Sequence, residues 1–331
     1  MDTKVTKKRL SEMMQYDWLK ILGVIIVCII VWEFLFTFGG VKLNPGQKFT
    51  VFYYPTINTS GALECSTFMN DVDFSYDVYE KDLETIHKDY FSDIMQARST
   101  LHIGDIMVAE NYDIESNEVQ HKGDKRYNQN VMYWLTDIYN FYSFEDLAKD
   151  AREYVDSFKA NGVFSEELIE SYFRKRMKND NRFRGEKNIQ KGLVLEKERI
   201  LFLDEQVSAF EWLIQTHSQS GLFAKYTKYQ YASVYGDKNN LDEYLELYQN
   251  ETEKSYGLNA EFLDLNRREN QKSISNMFAL IGNTDEELLS KDVVVMVFDY
   301  KKNQPDLQYE TIVFINSLVE TYSDLFSTYQ A

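Results

Sequence analysis

The hydrophobic pattern of the chain begins with one long apolar run. From Ile21 to Phe38, eighteen consecutive residues contain a single charged side chain, Glu33. At about 1.5 Å of rise per residue, a helix of this length crosses most of a hydrocarbon core about 30 Å thick. The run predicts a transmembrane helix over residues 18–38.

The flanking residues predict the orientation of this helix. Basic residues outnumber acidic ones ahead of it, with Lys4, Lys7, Lys8 and Arg9 against Asp2 and Glu12. Because such an excess marks the cytoplasmic side, we expect residues 1–17 in the cytoplasm. The protein is then a single-pass protein of the cell membrane with an extracellular C-terminal domain. A cleaved signal peptide would need small residues after a shorter apolar region, and "FTFGGVKLN" fits this poorly.

After a short spacer, residues 39–47, the pattern becomes that of an α/β protein. Residues 48–55 and 73–80 predict two strands, and the short apolar run 104–111 predicts a third, buried strand. Helical patterns cover 61–71 and 81–98. This alternation predicts a parallel or mixed sheet flanked by helices, with any ligand at the carboxyl ends of the strands.

The middle of the chain predicts mainly helices. Ser143 with Asp146 forms a capping-box pattern, and Ser165 opens a second helix in a similar way. A long helical pattern continues to about residue 218, although "RILFLD" within it also fits a strand. Near the C-terminus, residues 292–300 predict a buried strand, and a final helix follows with Ile312, Ile315 and Leu318 on one face.

Together, these elements resemble a known family. The first strand, the aromatic helix and "GDIMVAEN" resemble the first lobe of extracellular solute-binding proteins of the type 2 periplasmic-binding fold. The ending "YETIVFINSLVETYSDLF" is similar to a late helix of that family with a run of the type A-x-x-F-I-x-x-L. The resemblance implies a two-lobed ectodomain, with residues 48–130 and 270–331 as the first lobe and 131–269 as a helix-rich second lobe.

This resemblance also implies a function and a site. It implies capture of a small solute, such as a sugar, beside the permease of an ATP-binding-cassette uptake transporter, with the lobes closing over the ligand. The strand-end rule selects Tyr54 and Thr56 after the first strand, and Glu110 and Asn111 after the third. Trp134 or Trp212 is the candidate stacking face.

Charge and cysteine content narrow the possible partners. The chain has 36 Lys and Arg and 53 Asp and Glu, of which residues 1–38 hold five and four, leaving a net charge of −18 from residue 39 onward. Because phosphate binding needs a cationic surface, no nucleic-acid partner is expected. Cys65 is the one cysteine beyond the predicted anchor, so this part of the chain cannot form an intrachain disulfide. A domain without disulfides is more typical of a bacterial surface protein than of a eukaryotic ectodomain.

A second hypothesis is a non-catalytic scaffold or accessory protein of a membrane transport or cell-envelope complex, with no small ligand. It depends on the helical middle and on "RKRMKNDNRFRGEKNIQK", residues 174–191, which has eight basic residues against two acidic ones. A solvated helix end is the simpler interpretation of that run. An apolar cleft of several hundred Å³ would favour the solute-binding protein, whereas a filled interface with an exposed apolar patch would favour the scaffold.

The sequence gives little support to an enzyme. It contains no G-x-S-x-G, H-E-x-x-H, Walker or G-x-G-x-x-G motif, and His87, His102, His121 and His217 lack metal-ligand spacing. Cys65 has no basic or histidine neighbour in sequence to activate its thiol. We therefore expect no catalytic activity, no cofactor and no metal.

Overall fold

The structure is a computed structural model that describes residues 7, 18–39, 47–111, 141–226, 252–263, 277–281, 290, 292–301 and 304–321. The chain divides into two compact units, Met1–Asn44 and Pro45–Ala331. All the residues of the described apolar clusters belong to the second unit. Because Pro45–Ala331 has its own core, we expect it to fold without the N-terminal unit.

The N-terminal unit contains helix α1, Trp18–Gly39. Residues 22–33 of this helix are all exposed. In the part of the chain that the structure describes, no helix is identified as both long enough and apolar enough to cross a membrane. The transmembrane anchor therefore stays a prediction.

The second unit is built from strands and helices that alternate along the chain. Its strands are β1 (Lys48–Tyr53), β2 (Glu80–Thr85), β3 (Ile106–Glu110), β4 (Lys159–Ala160), β5 (Val163–Phe164), β6 (Phe223–Tyr226), β7 (Lys254–Asn259) and β8 (Val293–Val297). Its helices are α2 (Ala62–Asp71), α3 (Phe91–Leu101), α4 (Phe144–Asp156), α5 (Glu166–Arg176), α6 (Glu186–Thr216), α7 (Pro305–Gln308) and α8 (Glu310–Thr321). Short 3-10 turns lie at Thr59–Gly61, Lys88–Tyr90 and Asn181–Phe183.

Six of the strands form one mixed sheet in the order β2-β1-β3-β8-β7-β6. β1 pairs in parallel with both β2 and β3, whereas β3–β8, β8–β7 and β7–β6 are antiparallel pairs. The predicted mixed sheet flanked by helices is confirmed. The carboxyl ends of β1, β2 and β3 meet at one edge of this sheet.

Apolar side chains cover both faces of the sheet. On one face, residues such as Val51, Val108 and Val295 pack in a large core that includes side chains of α2, α4, α6 and α8. On the other face, Phe52 and Met107 pack in a smaller core with α3. β1, β3 and β8 are buried along nearly their whole length, which explains why their sequences are mainly apolar.

One predicted strand is wrong. Residues 73–79 of the alternating segment 73–80 are not a strand, and the second strand, β2, begins at Glu80 and overlaps the predicted helix 81–98 at residues 81–85. The reason is electrostatic: Asp77 is buried against Arg176 and Arg182, so this segment turns toward α5 and α6 instead of joining the sheet. Helix α3 begins only at Phe91.

The predicted helices of the middle are present in the described residues 144–216. The Ser143 hydroxyl accepts a hydrogen bond from Asp146 N at the start of α4, and Ser165 caps α5 in the same way through Leu168 N. The segment "RILFLD" continues as helix within α6. The sequence also favours a helix at 240–249 and a capping box formed by Thr284 and Glu287, and both lie outside the described residues.

A buried ion network joins α5, α6, α7 and the segment before β2. The Arg176 guanidinium lies 3.0 Å from the Asp77 carboxylate, 2.5 Å from that of Glu196 and 3.1 Å from that of Asp306. Arg199 also pairs with Glu196, at 2.7 Å. The network connects elements far apart in sequence.

The predicted division into two lobes stays a prediction. β6 and β7 belong to the segment 131–269, yet they lie in the same sheet as β1, β3 and β8. Leu258 of β7 is paired with Val295 of β8. A lobe boundary drawn at residues 131 and 269 therefore passes between two hydrogen-bonded strands.

Candidate functional site

A cavity lies where the strand-end rule places a ligand. Its volume is about 410 Å³, and it lies at the carboxyl ends of β1 and β2. Tyr54, Ile57, Ile86 and Ile281 give it apolar walls, and Asn58, Thr59, Thr85 and His87 add polar groups. An apolar cavity with a few polar groups is the usual form of a small-molecule site.

Tyr54 is the predicted site residue that lines this cavity. Its backbone N–H donates to Val108 O of β3 at 2.9 Å, which continues the β1–β3 ladder by one residue. Its ring packs edge-on against Phe91 of α3, with centroids 4.7 Å apart. The sheet and α3 therefore fix both the position and the orientation of this ring.

The turn after Tyr54 is held by a second segment. Asn58 N donates to Ala279 O at 2.7 Å, and Ile281 N donates to Thr56 O at 2.9 Å. Ile57 also forms an isolated antiparallel bridge with Leu280. These bonds place Ile281 on the cavity wall.

Glu110 ends β3 and has only 9% of its surface exposed. Burial raises the pKa of this carboxyl group to about 7, and the Thr56 hydroxyl opposes the rise. The sequence-predicted residues Thr56 and Glu110 are thus close together, beside the turn that carries Tyr54. A carboxyl group with this pKa exchanges a proton near neutrality.

We expect Glu110→Gln to change the pH dependence of stability. A folded-state pKa above the ordinary value of 4.5 contributes stability that is fully present below pH 4.5 and is lost as the pH rises through 7. The variant lacks this loss. The free energy of unfolding of the variant relative to that of the wild type is therefore expected to rise by about 2 kcal/mol from pH 5 to pH 8.5. Urea unfolding of Pro45–Ala331 at both pH values measures the difference.

The control for this experiment is Glu205→Gln, on the exposed face of α6. Its stability relative to the wild type is expected to stay constant over the same pH range. A constant difference for Glu110→Gln as well would show that Glu110 keeps an ordinary pKa in the folded protein.

The other predicted site residues lie elsewhere. Asn111 donates its N–H to Asp292 O at 2.6 Å and accepts a hydrogen bond from the Tyr226 hydroxyl, so it joins β3 to β6 and the start of β8. Trp212 is 61% exposed on α6, near His217, and does not line the cavity. Trp134 lies outside the described residues.

Sequence reasoning missed the β2 side of the cavity. Thr85, Ile86 and His87 line it because β2 ends at Thr85, and the sequence had placed these residues in a helix. His87 is an exposed residue after the strand and not on the flank of a helix. The strand "EKDLET" has four charged residues, so no apolar alternation marked it.

A second cavity of similar volume lies between α4 and α6. Arg152 and Glu211 line it, but they bind each other at 2.7 Å, and Arg152 also binds Asp204 at 2.5 Å. Because its charged groups are paired and it lies away from the ends of β1 and β2, we do not assign a ligand to it. Among the described residues, no group of three or more His, Cys, Asp or Glu is arranged to hold a metal ion.

Comparison with protein-family models, with curated proteins and with solved structures finds no match for this chain.

Proposed function

We propose that this chain is a membrane-tethered extracellular protein that captures a small solute for an uptake transporter. The observation that carries the proposal is that Tyr54, selected by the strand-end rule, lines a cavity of about 410 Å³ at the carboxyl ends of β1 and β2. The resemblance to solute-binding proteins supports the same function. It also supports a two-lobed ectodomain as part of the proposal.

The tether is proposed to be α1. Its sequence from Ile21 to Phe38 is apolar apart from Glu33, and residues 22–33 are all exposed, so this helix presents apolar side chains around its circumference. A tether raises the local concentration of the ectodomain near a permease without improving any contact.

The geometry favours an uncharged solute with an apolar face. Tyr54 offers a ring of fixed orientation, and the isoleucines beside it offer no charge to pair with an ionic ligand. Ring stacking with hydrogen bonds from Thr85, Asn58 and His87 suits a sugar.

Thermal unfolding of the full chain in lipid nanodiscs, against libraries of sugars, amino acids and oligopeptides, tests the proposal. A solute at one hundred times its dissociation constant stabilises the folded state by about 2.7 kcal/mol, which raises the melting temperature by roughly 5 °C. We expect Tyr54→Ala to abolish the shift and Trp212→Ala, which removes an aromatic ring outside the cavity, to leave it intact.

The opposite result has a defined meaning. A shift abolished by Trp212→Ala and kept in Tyr54→Ala would place the ligand on α6. No shift for any solute with the folded wild type would favour the scaffold hypothesis.

The scaffold hypothesis loses part of its support from residues 174–191. Three of the eight basic side chains are engaged: Arg176 in the buried network, Arg174 with Glu170 and Glu186, and Arg182 with Asp77 and Asp180. The remaining five are exposed.

A further inference from the structure

Five cations that are close together in sequence are exposed on the second unit. This cationic patch consists of Lys175, Lys178, Arg184, Lys187 and Lys191. Within the described ranges, none of the five forms an ion pair, whereas the two acidic residues of the same segment, Asp180 and Glu186, are held by Arg182 and Arg174. The patch therefore has a strongly positive local charge on a domain that is acidic as a whole.

The patch lies beside the point where the folded unit begins. Arg182, in the middle of the segment, donates a hydrogen bond to the Tyr79 hydroxyl, and its guanidinium lies 5.2 Å from the centre of the Tyr79 ring. The Tyr79 backbone N–H in turn donates to Gln47 O at 2.8 Å. Gln47 directly precedes β1. The patch is therefore connected to the end of the sheet at which β1 begins, which we call the entry edge.

The length of the connection limits how far this edge can lie from the bilayer. Gln47 is the eighth residue after Gly39, the last residue of α1. A fully extended chain spans at most about 3.6 Å per residue, so eight residues reach at most about 29 Å. If α1 is the anchor, as proposed above, the connection keeps the start of β1 within about 29 Å of the end of α1 and so lets it reach the headgroups.

We propose that the cationic patch binds anionic lipid headgroups of the membrane that anchors the chain. This inference rests on the proposed anchor. Each Lys or Arg near an anionic surface contributes about a fivefold increase in the binding constant, and this contribution falls off within a Debye length. The rest of the unit is acidic and is repelled by the same surface, so attraction and repulsion together orient the domain with the patch toward the lipid.

Lysine acetylation of the full chain in nanodiscs tests the inference. Nanodiscs of phosphatidylcholine alone are compared with nanodiscs that also contain phosphatidylglycerol, and the acetylation rate of each lysine is followed by mass spectrometry. We expect Lys175, Lys178, Lys187 and Lys191 to react at least threefold more slowly with phosphatidylglycerol present. Lys149, exposed on α4, is the internal control and is expected to react equally in both lipids.

Two further conditions sharpen this test. Salt at 0.5 M shortens the Debye length and is expected to restore the fast rates. The double variant Arg184→Gln, Lys187→Gln is expected to weaken the protection of Lys178 and Lys191. The matched double variant Lys149→Gln, Lys197→Gln removes two cations outside the patch and is expected to preserve it.

Each contrary outcome overturns the inference in a recognisable way. Equal acetylation of the patch in both lipids would exclude lipid binding, and equal slowing of Lys149 would indicate a general surface effect. Protection in native membranes but not in phosphatidylglycerol nanodiscs would assign the patch to an acidic protein or polymer. A chain that does not comigrate with nanodiscs on size exclusion would overturn the anchor, and this inference with it.

Discussion

Arg176→Met is expected to destabilise Pro45–Ala331 by about 3–5 kcal/mol, because it removes a cation that three buried carboxylates share. The side chains of Glu196, Asp77 and Asp306 are only 0%, 7% and 13% exposed, so water cannot replace the guanidinium. Unfolding by urea measures the loss, and the melting temperature is expected to fall by roughly 10 °C.

The pH dependence of this effect follows from the carboxylates. Burial would raise the pKa of Glu196, but Arg199 and Arg176 outweigh it and lower the pKa below the ordinary value of 4.5. The pKa of Asp306 is lowered below 3.8 by the same two arginines against the effect of burial. A lowered carboxyl pKa contributes stability above the unfolded-state pKa and loses it as the pH falls. The difference in the free energy of unfolding between the wild type and Arg176→Met is therefore expected to become smaller below about pH 4.5.

The matched control is Arg174→Met, two residues earlier on α5. Arg174 pairs with Glu170 and Glu186, but these carboxylates are 44% and 65% exposed and remain hydrated without it. We expect little change in its urea midpoint. Similar losses for the two variants would mean that the buried network contributes no more than a surface ion pair.

Lys301→Met is expected to have the second large effect, about 3–5 kcal/mol at pH 7. The Lys301 ammonium lies 2.5 Å from the Asp105 carboxylate, and the two side chains are 3% and 1% exposed. Asp105 also accepts a hydrogen bond from Thr50 N at 2.9 Å, so the pair holds the start of β3 against β1 and the chain after β8. Urea unfolding of Pro45–Ala331 measures the loss.

Acid is expected to reduce the cost of this substitution. Burial raises the pKa of Asp105 above 3.8, and Lys301 opposes the rise. In Lys301→Met this opposition is absent, so the Asp105 carboxyl group binds a proton more readily than in the wild type. A raised folded-state pKa contributes stability below the unfolded-state pKa, and this stability is lost as the pH rises. Lys301→Met is therefore expected to approach the wild type near pH 4.

A double variant distinguishes a lost charge pair from lost packing. Asp105→Asn keeps an acceptor for Thr50 N but removes the buried charge, so Lys301→Met with Asp105→Asn is expected to be more stable at pH 7 than Lys301→Met alone. If the double variant is less stable than the single one, the coupling is not electrostatic.

Local signals in the sequence were sufficient for much of the fold. β1, β3 and β8 are buried on both faces, so their sequences are mainly apolar. Ser143 and Ser165 marked the starts of α4 and α5 because a hydroxyl acceptor is what the free N–H groups of a first turn require.

The errors have a common physical origin in long-range pairing. β2 joins the sheet despite its charges because Lys48 of β1 binds Asp82 at 2.6 Å and Arg98 of α3 binds Glu84 at 2.9 Å. Neither partner is adjacent in sequence. The same limit applies to the site: Tyr54 followed from the end of β1, but the wall formed by Ile86 and His87 required the correct position of β2.

The charges of β2 have a consequence for crowding. Among the described strands, β2 lies at one end of the sheet, with its Glu80, Asp82 and Glu84 side chains grouped around Lys48. At high local concentration, an apolar strand at the margin of a sheet templates edge-to-edge polymers. Placing one strand beside its copy would bring like charges together, which resists such pairing. The polarity that concealed β2 in the sequence is thus suited to keeping neighbouring copies of this unit separate.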